Sequence, residues 1–413
     1  MRTEVNSELK DGAQTVTHRR KGVAGKSIVA FQVALSTLLV IGAALFVRTL
    51  ANLDSVDPGF RADHVLLFDI RLSGHHANIA DVLKHHAIED RLAAVAGVES
   101  VALSAETLIA NSRSMDDFIP VGMEATWTHD SAILDNAVSP RFFSTMGIPI
   151  IAGRGFQESD TATSPRVAII NRALAQEIFP NTNPIGKTFA GYISDKTIFQ
   201  IVGICANTHY DSLRNDPPPT YYVDYRQLPD LGAGANMTYE IRTHGNPDAL
   251  VPSLRRAVQS IDKNLPLIDV RTQQEQIDST IQQERIFATL TAAFGILALT
   301  LASIGIYGIM AYNVSRRTNE IGIRLALGAQ ARQILTMVLG ETSWLAITGV
   351  VVGLGAALLL TRFLKTMLFG LKPTDPLTMI GAGAMLFAVA LLAGFIPARR
   401  ASRVEPMQAL RHE

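Results

Sequence analysis

Four long apolar stretches interrupt a chain that otherwise mixes polar and apolar positions. None of them contains Asp, Glu, Lys or Arg, and they cover residues 27–47, 286–315, 342–361 and 376–398. A helix needs about 20 mainly apolar residues to cross the hydrocarbon core of a bilayer. The pattern therefore predicts four transmembrane helices, at about 27–49, 286–312, 338–361 and 376–397.

The long segment between the first two apolar stretches has a different periodicity. Alternating apolar residues predict strands, and residues at helical spacing predict a helix, within each of two β-α-β units at about 65–104 and 237–270. These units flank a segment at about 115–228 that is rich in turns and predicts a β-rich subdomain. The predicted fold is thus an α-helical membrane protein with four transmembrane helices and a large α+β extracytoplasmic domain, 50–284, inserted between helices 1 and 2.

Composition agrees with a membrane protein. Charged residues make up 18% of the 413 positions, and the mean hydropathy is +0.20, whereas about 25% charge is usual in soluble proteins. This excludes a soluble enzyme, a nucleic-acid-binding protein and a disordered tail protein. Equal numbers of basic and acidic residues, 37 each, point to no strongly charged partner. Cys205 is the single cysteine, so no intrachain disulfide is possible.

Basic residues next to the predicted helices indicate their orientation. The clusters are Arg19, Arg20, Lys21 and Lys26, then Arg316, Arg317, Arg324 and Arg332, then Arg399, Arg400, Arg403 and Arg411. Because basic residues favour the cytoplasmic side, a cytoplasmic tail at 1–26 and a cytoplasmic C-terminus are expected. A weaker basic cluster opposes this assignment, because it would lie on the extracytoplasmic side, in the loop between the third and fourth helices. It consists of Arg362, Lys365 and Lys372.

The second apolar stretch is longer than a bilayer requires. Its 30 residues correspond to about 45 Å of helix, against a core of about 30 Å. A helix that continues out of the membrane as a stalk is favoured over a tilted one.

No stretch of the chain predicts a nucleotide, metal or catalytic site. The sequence Gly25-Lys26-Ser27 resembles the end of a phosphate-binding loop, but Arg20 stands where the pattern needs glycine. His85, His86 and Glu89 could supply metal ligands from one helix, yet a solvated polar face is favoured. Asp116, Asp117 and Glu124 lie near no nucleophile-base pattern. The chain is expected to have no catalytic, cofactor-binding or metal-binding residues.

The other histidines are dispersed along the predicted external domain, at His64, His75, His76, His129, His209 and His244. A membrane-anchored enzyme that uses these side chains is therefore a minor alternative.

The four apolar stretches lack Asp, Glu, Lys, Arg and His but contain small residues. The absence of charge argues against an ion-coupled transporter with a site at the membrane midplane. Gly349 and Gly353, four positions apart, are predicted helix-packing residues. Packing within one chain and dimerisation explain this pair equally well.

The stretch after the second transmembrane helix carries the clearest local pattern. Ile321, Leu325 and Gly328 recur at helical spacing, and Glu320 precedes Arg324 by four positions. These features predict an amphipathic cytoplasmic helix at about 316–335. A membrane-surface helix that only reverses the chain is the alternative.

The same stretch resembles a known family signature. Residues 316–329, RRTNEIGIRLALGA, resemble the signature of the MacB/FtsX-type permeases of ATP-binding-cassette (ABC) systems. Further resemblance is found in RFFSTMGI at 141–148, GRGF at 153–156, NRALA at 171–175, NPIGK at 183–187 and PARRASRVEPMQALR at 397–411. Domain 50–284 resembles the MacB-like core domain, and 285–413 resembles the FtsX-like domain.

The resemblance implies the permease subunit of an ABC-type export or efflux system. ATP hydrolysis by a separate ATPase subunit would move the external domain, which expels or releases substrate (mechanotransmission). The expected ATPase-coupling contacts are Arg317, Glu320, Gly322, Arg324, Gly328 and Ala329. Glu320 and Arg324 would make polar contacts, while Gly328 and Ala329 would allow close backbone approach. The chain itself is expected to be no enzyme.

The resemblance also implies partners and a location. The expected partners are the ATPase, a second permease unit in a homodimer or heterodimer, and membrane lipid, with no nucleic acid. A periplasmic adaptor and an outer-membrane channel are further partners that the family allows. The expected location is the inner membrane, with multiple passes. The segments 9–12 and 56–60 resemble the second unit of a duplicated permease, so the resemblance implies a half-length relative or a truncated gene product.

Two alternatives of the same architecture remain open. One is a permease that releases lipoproteins from the membrane. The other is a non-transporting regulator of an envelope hydrolase, driven by an ATPase partner. The two-part external domain favours export over the regulator, but the substrate is left unidentified.

Overall fold

The computed structural model divides the chain into two compact units. A helical unit comprises Met1–Asp54 and Gln283–Glu413, and a sheet domain comprises Ser55–Gln282. The structure describes the main chain at 5–72, 78–122, 133–191, 197–228, 236–364, 367–372 and 374–403, and side chains from residue 25 onward.

The described residues form ten α-helices and twelve β-strands. The helices are α1 (Val5–Asp54), α2 (Ile79–Ala93), α3 (Phe142–Met146), α4 (Arg172–Ile178), α5 (Val251–Ile261), α6 (Gln273–Thr280), α7 (Gln282–Arg316), α8 (Thr318–Ala326), α9 (Ala331–Leu360) and α10 (Pro376–Ala401). The strands are β1 (Val65–Arg71), β2 (Val98–Ser104), β3 (Ser114–Asp116), β4 (Phe118–Pro120), β5 (Ile133–Val138), β6 (Ile150–Gly153), β7 (Val167–Asn171), β8 (Thr188–Gly191), β9 (Ile198–Cys205), β10 (Thr220–Asp224), β11 (Asn236–Thr243) and β12 (Ile268–Thr272).

Four helical segments are long and apolar enough to cross a membrane. They are Gly25–Asp54, Gln282–Arg316, Ala331–Leu364 and Pro376–Ala401. Because the α+β domain is inserted between the first and second of them, the predicted fold class is confirmed. The helices extend beyond the apolar stretches: α1 begins at Val5 rather than near residue 27, and α7 runs unbroken for 35 residues.

Small residues bring α1, α9 and α10 close together. A Cβ added at Gly349 would lie 2.6 Å from the side chain of Val33, and one at Gly353 would lie 2.5 Å from Cβ of Thr37. On α10, a Cβ at Gly394 would lie 2.6 Å from the hydroxyl oxygen of Thr342. The face of α9 that carries the two predicted packing glycines is therefore covered by α1 of the same chain.

One mixed sheet organises the sheet domain. Its strand order is β12-β1-β11-β2-β5-β10-β7-β9-β8-β4, with β3 paired to β5 and β6 paired to β9. The two β-α-β units interleave, because β1 pairs antiparallel with both β11 and β12, and β11 pairs antiparallel with β2. Phe68 and Tyr239 face each other across β1 and β11, and their rings stack at 5.4 Å.

One hydrophobic cluster of the sheet domain involves two helices. It contains buried residues from the sheet, α2 and α5, including Phe68, Ile88, Tyr239 and Leu254. The spacing of apolar residues on α2 and α5 explains this arrangement, because each helix buries one face against the strands.

Candidate functional site

The connection between α7 and α9 contains a short helix and a tight turn. The helix α8 covers Thr318–Ala326 and is followed by Gly328, which has a φ of 94°. Residues other than glycine rarely adopt that backbone conformation. A Cβ added at Gly328 would have no neighbour within 4 Å, so the backbone angle and not crowding favours glycine here. The backbone N–H of Ala329 donates to the carbonyl of Arg324 at 3.0 Å. The predicted single helix at 316–335 is therefore wrong, because this turn separates α8 from α9.

The inner face of α8 is apolar and buried. Ile321 is 1% exposed and clusters with Ile334 of α9 and Ala401 of α10, while Leu325 packs against their edge. Gly322 is buried on the same helix. Burial of Ile321 fixes which face of the helix points away from the other helices.

The outer face of α8 combines an ion pair with exposed apolar side chains. Arg324 donates through Nη2 to Oε1 of Glu320 at 2.5 Å, and both side chains are about half exposed. Its other terminal nitrogen donates to the sulfur of Met337 at 3.0 Å. Ile323 is 46% exposed and Leu327 is 84% exposed. Exposed apolar groups that lie together mark contacts with a protein or with a membrane.

Glu341 links the beginning of α8 to two other helices. Its Oε1 accepts a hydrogen bond from Nη1 of Arg317 at 2.5 Å. Its Oε2 lies 3.8 Å from Nζ of Lys26 on α1. A movement of α8 would therefore change the pair between Arg317 and Glu341, whose carboxylate also lies near Lys26 of α1.

The structure brings together most of the residues predicted as coupling contacts. Glu320, Arg324 and Gly328 are exposed on α8 and its turn, and Arg317 is exposed just before the helix. Gly322 differs from the others, because it is buried and does not lie on the exposed face of α8. Ala329 is only partly exposed.

Three residues of this site were not predicted from the sequence: Ile323, Leu327 and Glu341. Glu341 immediately precedes a charge-free stretch, which was an available signal for an ion-pairing role. The exposure of Ile323 and Leu327 depends on the other helices, so the helical pattern of α8 alone did not identify it.

The candidate metal-ligating group on α2 has a different environment from the solvated face that the sequence favoured. His85 is fully buried, with Nδ1 2.8 Å from the hydroxyl of Tyr239. Glu89 is 5% exposed, and burial raises its pKa to about 7 although Arg141 and Arg226 oppose this rise. The favoured solvated face is therefore wrong for both residues.

The other described histidines considered as metal ligands have different partners and do not lie with His85. Nε2 of His86 lies 3.8 Å from Asp90, and Nδ1 of His209 lies 2.8 Å from a backbone carbonyl. Within the described part of the chain, no three His, Cys, Asp or Glu residues group as metal ligands. His75, His76, His129 and Glu124 lie outside the described residues.

Two family models match the chain. Residues 29–276 match the MacB-like periplasmic core domain, and residues 292–406 match the FtsX-like permease C-terminal domain. The first match alone covers more than half of the chain. Both matches agree with the family signatures identified in the sequence.

Curated relatives show the same similarity. The chain is 29% identical over 290 residues to the macrolide export ATP-binding/permease protein MacB of Marinobacter nauticus, which covers 67% of this chain and 43% of that protein. It is 26% identical over 287 residues to the uncharacterised ABC transporter permease YknZ of Bacillus subtilis, covering 67% and 70%. The chain thus matches less than half of the length of the MacB relative.

One solved structure is similar to part of the chain at a low score. The periplasmic region of MacB from Actinobacillus actinomycetemcomitans is 16% identical, with a TM-score of 0.35, and the match covers 57% of this chain and 98% of that one. Four apolar helices and the two family matches together indicate a multi-pass membrane protein. The chain therefore belongs to the family of ABC transporter permeases that join a MacB-like periplasmic core domain to an FtsX-like C-terminal domain.

Proposed function

We propose that this chain is the permease subunit of an ABC-type export system, and that α8 couples it to a separate ATPase subunit. The observation that carries this proposal is the outer face of α8, where Ile323 and Leu327 are exposed beside the Glu320–Arg324 ion pair. An apolar centre with charged neighbours is the usual anatomy of a protein–protein contact. Membership of the permease family supports an ATPase as the partner.

The anchoring of α8 supports transmission of movement. The buried Ile321 and the ion pair between Arg317 and Glu341 attach α8 to the helical bundle. The helix α7 precedes α8 directly and runs without a break back to Gln282, next to the end of the sheet domain. A force on α8 would thus be carried along α7, which acts as the stalk.

The charge distribution of the spanning helices supports transport outside the bilayer. Residues 286–315 and 342–361 contain no Asp, Glu, Lys, Arg or His, although ion and proton paths through a membrane usually require such side chains. The proposed mechanism needs no such path, because the substrate would be expelled by movement of the sheet domain. We place α8 and both termini in the cytoplasm, since basic clusters adjoin these ends.

The proposed assembly includes a second permease unit in a homodimer or heterodimer, as the family resemblance implies. The face of α9 with Gly349 and Gly353 is covered by α1, so dimerisation would use another surface. Membrane lipid surrounds the helices. A periplasmic adaptor and an outer-membrane channel are optional partners in this proposal.

Co-purification with a candidate ATPase tests the docking surface. We expect the wild-type chain to retain the ATPase in detergent, and we expect Leu327→Ser to lose most of it, because an exposed contact leucine would be removed. The matched control is Leu359→Ser, which replaces a leucine of α9 that is 67% exposed. Equal retention by both variants would contradict docking at α8 and favour a helix that only contacts lipid.

A further inference from the structure

A cleft of about 350 Å³ lies within the sheet domain, beside the first turns of α2. Its volume falls within the range of small-molecule sites, about 300–1,000 Å³. Ile79 and Leu83 form one wall, at successive turns of α2, and Ala162 lies on the opposite loop. Ile79 is 65% exposed and Leu83 is 63% exposed, so this wall is open to a ligand.

The wall is held in place by the cap of α2. The side chain of Asn78 accepts hydrogen bonds from the backbone N–H groups of Ala80 and Asp81, at 2.8 and 3.2 Å. The side chain of Asp81 in turn accepts from the backbone N–H of Asn78 at 3.1 Å. This reciprocal capping box fixes the first turn of the helix. The apolar wall is therefore formed before any ligand binds.

At the polar end of the cleft, Arg226 is paired with two carboxylates, of which only Glu158 lines the cleft. Arg226 donates through Nη1 to Glu158 at 2.5 Å and through Nη2 to Asp224 at 2.8 Å and to the carbonyl of Gln157 at 3.0 Å. Two carboxylates therefore surround one guanidinium. The side chain of Arg226 is only 13% exposed, whereas that of Glu158 is 66% exposed. Both residues line the cleft, and the carboxylate of Glu158 is the more exposed of the two charged groups.

We propose that this cleft binds a small lipophilic molecule that carries a positively charged amine. The apolar body of the ligand would cover Ile79 and Leu83, and its ammonium group would pair with Glu158. An anion is disfavoured, because Arg226 already donates to two carboxylates and a carbonyl. The site requires no ATPase, so it extends beyond the proposed coupling function.

Equilibrium dialysis of the full chain in phosphatidylcholine nanodiscs tests this site, with binding to empty nanodiscs subtracted. The probes are propranolol, a compact aromatic amine, and naproxen, an aromatic carboxylate of similar size. We expect saturable binding of propranolol and at least tenfold weaker binding of naproxen. Equal binding of the two probes, or tighter binding of naproxen, would overturn the charge assignment.

Two variants locate the binding. Glu158→Gln removes the exposed carboxylate and should weaken propranolol binding about tenfold, as expected for the loss of a charge-assisted contact. Ala162→Trp places a bulky side chain at an exposed loop position and should abolish binding by filling the cleft. Glu177→Gln, at an exposed position of α4 away from the cleft lining, should bind as the wild type does. Wild-type affinity in both cleft variants would refute the site, whether or not α8 docks an ATPase.

Discussion

Replacement of Gly349 by alanine tests the packing of α1 on α9. The added Cβ would lie 2.6 Å from both Cβ and Cγ1 of Val33, and 3.0 Å from the carbonyl oxygen of Ala30. Carbon atoms in contact are normally separated by about 3.5–4.0 Å. Val33 is 1% exposed and β-branched, so it has little freedom to move aside. The two helices would have to separate by about 1 Å.

The expected cost follows from overpacking. Inserting a methyl group into a well-packed region costs about 1–3 kcal/mol, while alanine gains up to about 1 kcal/mol over glycine in a helix. Gly355→Ala is the matched control, because it lies on the same helix and a Cβ there would have no neighbour within 4 Å. The helix-propensity gain cancels between the two variants. Gly349→Ala should therefore be about 1–3 kcal/mol less stable than Gly355→Ala.

Thermal unfolding of the full chain in detergent measures this difference. Trp344 on α9 is 72% exposed, and its fluorescence reports the state of that helix. We expect a lower Tm for Gly349→Ala than for Gly355→Ala, and a partial recovery when Val33→Ala is added to Gly349→Ala. Equal Tm values for the two glycine variants would refute the reasoning, because the close contact would then have no energetic consequence.

Three further predictions concern the sheet domain and the anchor of α8. Burial raises the pKa of Glu240 to about 8, so the folded state keeps a proton that the unfolded state loses above its ordinary pKa of 4.5. The free energy of unfolding should therefore fall as pH rises from about 4.5 to about 8, by up to about 5 kcal/mol. The Glu240→Gln variant should not show this fall, so its Tm relative to the wild type should be higher at pH 8 than at pH 5. The same difference in Tm at both pH values would contradict the prediction. Gly153 has a φ of 73°, and a Cβ there would lie 2.2 Å from a carbonyl oxygen of β9. The Gly153→Ala variant should therefore have a much lower Tm than the wild type, whereas Gly155→Ala should not. Similar Tm values for the two variants would contradict this prediction. Glu341→Gln removes a negative charge that lies near Arg317 and Lys26. It should speed hydrogen exchange of the backbone amides of residues 318–326. Unchanged exchange rates would show that Glu341 does not hold α8 in place.

Much of the helical unit could be predicted from the sequence, because a bilayer requires long charge-free stretches. The boundaries could not, since α1 and α9 continue as helices through polar residues outside those stretches. The strands around residues 65–72 and 237–242 were identified by alternation. Their pairing as neighbours in one sheet was not, because it joins segments about 170 positions apart.

The candidate site was predicted in outline and misassigned in detail. Gly328 was selected as a coupling contact, which stays a prediction, and its positive φ ends α8 where one continuous helix had been expected. Gly322 was assigned to the contact surface, although Ile334 and Ala401 decide which face of α8 is buried. His85 was expected to be solvated, but its partner Tyr239 comes from β11, far away in the sequence. Long-range contacts of this kind leave no local pattern.

ATP hydrolysis by a co-expressed candidate ATPase tests the central claim most directly. The rate is measured in nanodiscs with the wild-type chain, without it, and with the double variant Glu320→Ala and Arg324→Ala. These two residues pair with each other, so the double variant leaves no unpaired charge on α8. If α8 couples the two subunits, the wild-type chain changes the hydrolysis rate and the double variant does not. Identical rates in all three samples would contradict the account.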